Sequence, residues 1–264
     1  MSDFLRGLFH DLLHRCQMLR SLLEHREYHP DITGYVTQLL DWITQIESQI
    51  IELIVDPTLG TSPLLANNLR DYRLRAQFLK LLEWFPVPIV LHYGPSEHYF
   101  FALVGLVATQ INYPFPTPVV SAFSNEHYWA HPDFNLLGVP VLEEYSLLGL
   151  PDLFHELGHI VIHQQRDELL GRFQEEVRAH FAAEKQRVRN AQKPPEYESI
   201  VEWAQRKWID EWTTEFASDM IAAYLVGPAY GWASLRLCSS SLSDDIFRPG
   251  PGDAEITHPS DDAR

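Results

Sequence analysis

The chain has 264 residues, a formal charge of −16 and two cysteines, with 45% hydrophobic and 12% aromatic residues. That apolar content is enough for a packed core and excludes a wholly disordered chain. The acidic balance argues against gripping nucleic acid backbones through bulk electrostatics and against docking on anionic lipid. Cys16 and Cys238 make no disulfide framework and stand in no CxxC, so both read as packed thiols.

In chain order, "MSDFLRGLFHDLLHRC" is broken by charges every few residues and lacks the apolar core of a signal peptide. Leu5, Leu8, Phe9, Leu12, Leu13, Cys16, Leu19, Leu22 and Leu23 keep helical spacing, and a second helical series runs from Ile32 to Ile54. "HPDITG" between them reads as a turn. After the breaker "DPTLGTSP" a third helix is predicted from Leu65 to Trp84. Residues 1–85 therefore form an N-terminal helical section, expected to shape access or to recruit a protein partner and to contribute no metal ligand.

From Val87 the texture changes. "PVPIVLHY" and "PFPTPVVSAF" resemble short strands bounded by prolines, with a helix near His98 to Ile111 between them. The longest uncharged apolar run, "YFFALVGLVATQI", is too short for a membrane span of roughly 20 residues, so the expectation is a soluble, cytoplasmic protein. "NLLGVPVLE" is a further strand. A charged helix from Asp167 to Asn190 is stopped by "KPP", and a long helix from Glu198 ends at Gly227-Pro228. Residues 86–264 thus read as a second domain, and the whole as an α+β fold, mainly helical, with a small sheet.

Two stretches place histidines four apart with an acid after the first: "HDLLH" at His10 and "HELGH" at His155. On a helix, His10, Asp11 and His14 fall opposite the leucine stripe, and Arg15 beside them opposes a dication, so this pair reads as a solvated face. The second pair differs. Pro151 suits a first helical turn, and Leu153, Phe154, Leu157, Ile160 and Val161 form one face while His155 and His159 line the other. No lysine or arginine occurs between Pro151 and Gln165. Two histidines one turn apart can hold a single cation, and Glu156 between them is placed to take a proton from an activated water.

Such a site needs a third ligand. The metzincin pattern fails, because Ile162 and Gln165 stand where its glycine and third histidine belong. His163 lies a further turn along, about 6 Å by helix rise, and reads as a packed or outer-sphere residue. Downstream, "DEWTTEFASDMIAAYLVG" sets Glu215 and Asp219 one turn apart on a face shared with Trp208, Trp212, Ala222 and Ala223. Carboxylates in that company are costly unless paired or ligating. Glu215 is the expected ligand, and Asp219 the acceptor that orients a ligand histidine. Glu211 is the rival, but its partner four residues on is a second glutamate, a poorer orienting group than the shorter aspartate.

"HELGH" followed by "EFASD" resembles the gluzincin class of zinc metallopeptidases, in which a glutamate of an ExxxD motif on a later helix completes the HExxH site. "THPSDDAR" is similar to the HPxxxxR segment of the CAAX-prenyl-protease and heat-shock membrane peptidase family, with His258, Pro259 and Arg264 in agreement but membrane spans absent. The resemblance covers roughly Asn135 to Arg264 and implies one zinc ion (Zn2+) per chain, held by His155, His159 and Glu215, with Glu156 as general base in the hydrolysis of a peptide or protein substrate. His258, Tyr224 and Tyr230 are candidates to polarise the substrate carbonyl, His258 being preferred. "NLLGVPVLE" could lie beside the active-site helix as an edge strand that binds an extended peptide, and Gly158 could allow close backbone approach or simply tight packing. Pro259 and the acids after it read as a first helical turn with almost no chain beyond, hence a chain cut short, a tail held at the active site, or a frayed end. Two other classes share parts of this pattern: a metal-dependent hydrolase of a non-peptide amide or ester, and a binding or scaffold protein with a structural metal.

Overall fold

A computed structural model of the chain describes residues 2–61, 64–124, 128–140 and 148–240. The protein is mainly helical with one small sheet, an α+β architecture. It forms two compact units, Met1–Ser121 and Ala122–Arg264.

The first unit contains α1 (Ser2–Glu24), α2 (Pro30–Val55), α3 (Leu65–Trp84), α4 (Pro86–Leu91) and α5 (Pro95–Gln110). Leu5, Phe9, Leu12, Cys16, Leu19 and Leu23 of α1 are buried, α1 packs on α2, and Ile32, Val36, Leu39, Ile43, Ile46 and Ile50 of α2 are buried as well. Each such side chain taken wholly from water stabilises the pair by about 1.5–3 kcal/mol. His10, Asp11 and His14 lie exposed on the opposite face, as expected of a solvated histidine pair. Two cross-helix ion pairs join this bundle, Arg15 to Glu83 at 2.7 Å and Arg20 to the buried Glu47 at 2.7 Å. Burial, with the nearby Glu47 carboxylate, pushes the Cys16 thiol up to about 12, consistent with a packed residue.

Two local expectations are corrected here. "HPDITG" is not a free turn: His29 caps α2, and Pro30 and Asp31 open its first turn, where a fixed φ and an acidic side chain both suit a helix start. "PVPIVL" is α4 rather than a strand. Its two prolines sit in the first turn, where no backbone N–H is required, so proline punctuation that resembled strand ends is helix initiation instead.

The second unit holds the last half of β1 (Val119–Ser124), then β2 (Trp129–His131), β3 (Leu136–Pro140), α6 (Leu150–Gln164), α7 (Arg166–Asn190), α8 (Pro195–Lys207), α9 (Thr213–Val226) and α10 (Pro228–Ser240). The sheet order is β1-β3-β2, and β2 pairs antiparallel with β3, Trp129 opposite Gly138. A Cβ on Gly138 would sit 1.9 Å from the Trp129 ring, so glycine is what lets the indole cross the strand. β3, the strand drawn from "NLLGVPVLE", is therefore central, and an extended peptide cannot pair with it; β2 and β1 are the edges.

Helix α6 is the hub of this unit, in contact with β2, β3, α7, α9 and α10. The single long helix expected from Glu198 is α8 and α9 joined by a π-helical turn, Trp208–Trp212. The widened turn diverts the Ile209 carbonyl to Gln174 (3.2 Å) and Arg166 (3.3 Å) of α7, and the Thr213 hydroxyl donates to the Trp208 carbonyl. A further helix, α10, begins directly at Pro228 after Gly227 turns the chain at φ 60. No helix among the described residues is long and apolar enough to cross a membrane.

Candidate metal centre

Pro151 and Asp152 sit in the first turn of α6, and Leu153, Phe154, Leu157 and Ile160 bury its apolar side. The remaining side is not left to water: His155 is only 7% exposed and His159 is half-buried. Facing them is α9, which approaches unusually closely. A Cβ on Gly158 would lie 2.9 Å from Ser218 Cα and 3.1 Å from its Cβ, closer than helices carrying larger residues can come. Gly158 thus serves packing, and that contact brings the carboxylates of α9 to the histidines of α6.

Four ligand-type atoms of three residues meet there. His155 Nε2 and His159 Nε2 are 3.1 Å apart, and the Glu215 carboxylate lies 3.4 Å from each, Oε2 toward His155 and Oε1 toward His159. Donors bonded to tetrahedral zinc at ordinary lengths are separated by about 3.3–3.4 Å. Each of these separations is therefore close to an edge of a zinc tetrahedron, with one carboxylate oxygen facing each histidine. An oxygen of Glu156 lies within 4.8 Å of a ring nitrogen of each histidine, a distance one water can bridge.

The outer contacts fix how His155 presents itself. Its Nδ1 donates to Asp219 Oδ1 at 2.8 Å, and the Tyr230 hydroxyl of α10 donates to the same oxygen while lying 3.1 Å from Nδ1. With the Nδ1 proton tied to Asp219, Nε2 carries the lone pair that a cation requires. Burial alone lowers the basicity of His155, but the hydrogen bonds to Asp219 and Glu215 and the Glu156 charge outweigh it and push the imidazole up to about 9. The cluster is short of positive charge, and either a proton or a metal ion supplies it.

The other sequence candidates fall elsewhere. Glu211 is held by the buried Lys207, whose Nζ lies 2.9 and 2.8 Å from its two oxygens, while Glu215 faces the histidines. The π turn separates Glu211 from α9, so the helical face drawn through Trp208 and Trp212 to Ala223 does not continue; Ala222 is buried and Ala223 exposed. His163 is exposed and pairs with Asp133 at 3.0 Å. Tyr224 is 87% exposed, and Tyr230 sits on the Nδ1 side of His155, positioned to hold Asp219 rather than a substrate carbonyl. His258, with Pro259 and Arg264, lies outside the described residues. Tyr230's orienting contact was missed because it depends on the return of α10 to α6, for which 3.6-residue periodicity holds no signal. No family model, no curated protein and no solved structure matches the chain.

Proposed function

We propose that this chain is a zinc-dependent peptidase of gluzincin type, with His155, His159 and Glu215 as the residues that hold the ion. The observation that carries the reading is the convergence of their facing atoms, 3.1 Å between the two ring nitrogens and 3.4 Å from each nitrogen to one oxygen of Glu215, with Glu156 beside them. Three protein ligands leave a position for water or substrate, which distinguishes a catalytic zinc from a structural one closed by four. When bound, such an ion supplies Lewis acidity, acidifying water and polarising a carbonyl oxygen.

The chain's own residues do the rest. Glu156 accepts the proton of the attacking water and delivers it to the departing amine, so that one carboxylate serves as base and then as acid. Asp219, braced by Tyr230, keeps the Nδ1 proton of His155 in place and its Nε2 lone pair inward. Strand β2, at the sheet edge and in contact with α6, offers backbone along which an extended peptide can lie.

The test is elemental analysis of protein purified without added metal, followed by cleavage of a mixed peptide library. One zinc at this centre and cleavage of peptides are expected, with Glu156→Gln retaining the ion and losing turnover, since an amide cannot accept the proton. Zinc with hydrolysis only of non-peptide amides or esters redirects the reading to that substrate class. Full retention of this zinc by His155→Ala overturns the ligand assignment.

A further inference from the structure

The first unit contains a second convergence of imidazole and carboxylate, independent of the peptidase reading. His29 caps α2, Asp31 follows in its first turn, and His98 stands near the start of α5. Their side chains meet at one atom: Asp31 Oδ2 is 2.5 Å from His98 Nδ1 and 3.2 Å from His29 Nδ1, and the two imidazole centroids are 4.8 Å apart. The Tyr93 hydroxyl donates to that same oxygen at 3.1 Å.

Hydrogen bonding alone satisfies this arrangement poorly. One carboxylate oxygen offers two lone pairs, yet three groups crowd it. His29 Nδ1 also accepts the Asp31 amide proton, at 3.4 Å. A ring nitrogen in that role holds a lone pair and no proton, so it makes no hydrogen bond to the carboxylate oxygen 3.2 Å away, and ligation of an ion replaces its long contact with the amide. A cation between them makes two bonds, and the 3.2 Å separation is already close to the edge of about 3.3–3.4 Å that zinc imposes on its ligands.

We propose that His29, Asp31 and His98 form a second metal site, on the surface of the first unit, for a divalent transition ion of the zinc, cobalt and nickel class. Two imidazoles with one carboxylate select such ions over magnesium or calcium, which favour all-oxygen shells. Tyr93 acts as the outer partner that aims the carboxylate, in the way ligating acids are commonly held. The side chains of His29 and His98 are 44% and 53% exposed, so water completes the coordination and the ion exchanges readily, unlike one held at the buried His155. The His98–Asp31 hydrogen bond opens by less than about 1 Å to admit the ion, a shift within reach of exposed side chains.

The experiment is equilibrium dialysis of the full chain against Zn2+, with the visible spectrum of Co2+ as a second readout. The double variant His155→Ala/His159→Ala should keep one equivalent, and adding His29→Ala or His98→Ala should weaken that equivalent at least tenfold. Tyr93→Phe should weaken it less, since it removes an outer contact and no ligand. Should the double variant fail to fold, the wild type is compared with His29→Ala/His98→Ala, and a fall by one equivalent supports the site. Unchanged stoichiometry when both His29 and His98 are replaced, or no metal bound once His155 and His159 are gone from a folded chain, overturns it and leaves a proton-linked clamp on Asp31.

Discussion

Residues 158 and 219 carry much of the second unit's chemistry without being proposed metal ligands. Gly158→Ala puts a methyl 2.9 Å from Ser218 Cα, a backbone atom that cannot swing aside, so α9 must move. The expected cost is about 1–3 kcal/mol, as for other overpacked cores, together with weaker zinc binding, both readable by urea unfolding and metal competition. Its neighbour serves as the contrast. Ser218 Oγ is buried with no hydrogen-bond partner among the described residues, so Ser218→Ala should be neutral or slightly stabilising. A loss of more than about 1 kcal/mol there means that the hydroxyl is engaged after all. Asp219→Asn keeps the shape of the His155 contact but removes the charge that holds the Nδ1 proton, and a 10- to 100-fold weaker metal affinity is expected, roughly what loss of an outer-sphere partner costs. Equal affinity in a competition assay would show that His155 needs no such anchor.

The pairing of α1 with α2 makes an electrostatic prediction at the level of elements. Burial raises the Glu47 carboxyl above its ordinary 4.5, and Arg20, although only 2.7 Å away, pulls it back incompletely. A carboxyl whose pKa is higher folded than unfolded binds its proton more readily in the folded state. Its stabilising contribution is therefore complete below the unfolded value and is lost as pH rises through the folded one. Glu47→Gln cannot ionise and escapes that loss. Unfolding curves at several pH values should show wild type losing ground to the variant as pH rises from 4.5 toward neutrality. A pH-independent gap between the two proteins contradicts the assignment. Arg20→Ala should be more harmful at neutral pH than at pH about 4.5, because the charge it strands is then fully formed.

For the whole molecule, the two compact units divide the proposed metal sites between them: His29, Asp31 and His98 in one, His155, His159 and Glu215 in the other. A chain beginning at Pro114 keeps β1 whole along with every element of the second unit. If that fragment folds, it should bind one zinc where the full chain binds two, and His155→Ala within it should abolish binding. A folded fragment that binds none overturns the assignment of His155, His159 and Glu215 as a sufficient ligand set.

The amino-acid pattern alone determined the elements with strong local order and the chemistry they carry. Periodicity marked α1, α2 and α6 because a helix with one apolar face repeats within a single turn, while breakers and stops bounded α3 and α7. It separated the solvated "HDLLH" from the buried "HELGH" by their neighbours, and the cost of burying Glu215 and Asp219 among apolar residues marked these two as engaged. Local reading failed where a local rule had two outcomes. Prolines that begin a helix resemble prolines that bound a strand, which hid α4, and the π turn at Trp208 shifted a face that 3.6-residue spacing had carried through it. Strand order and helix crossing belong to the tertiary structure, because they depend on which surfaces can meet. That is why β3 lies at the centre of its sheet, why Gly158 and Ser218 bring Glu215 to within 3.4 Å of both histidines, and why His98 meets Asp31 across 67 positions of chain.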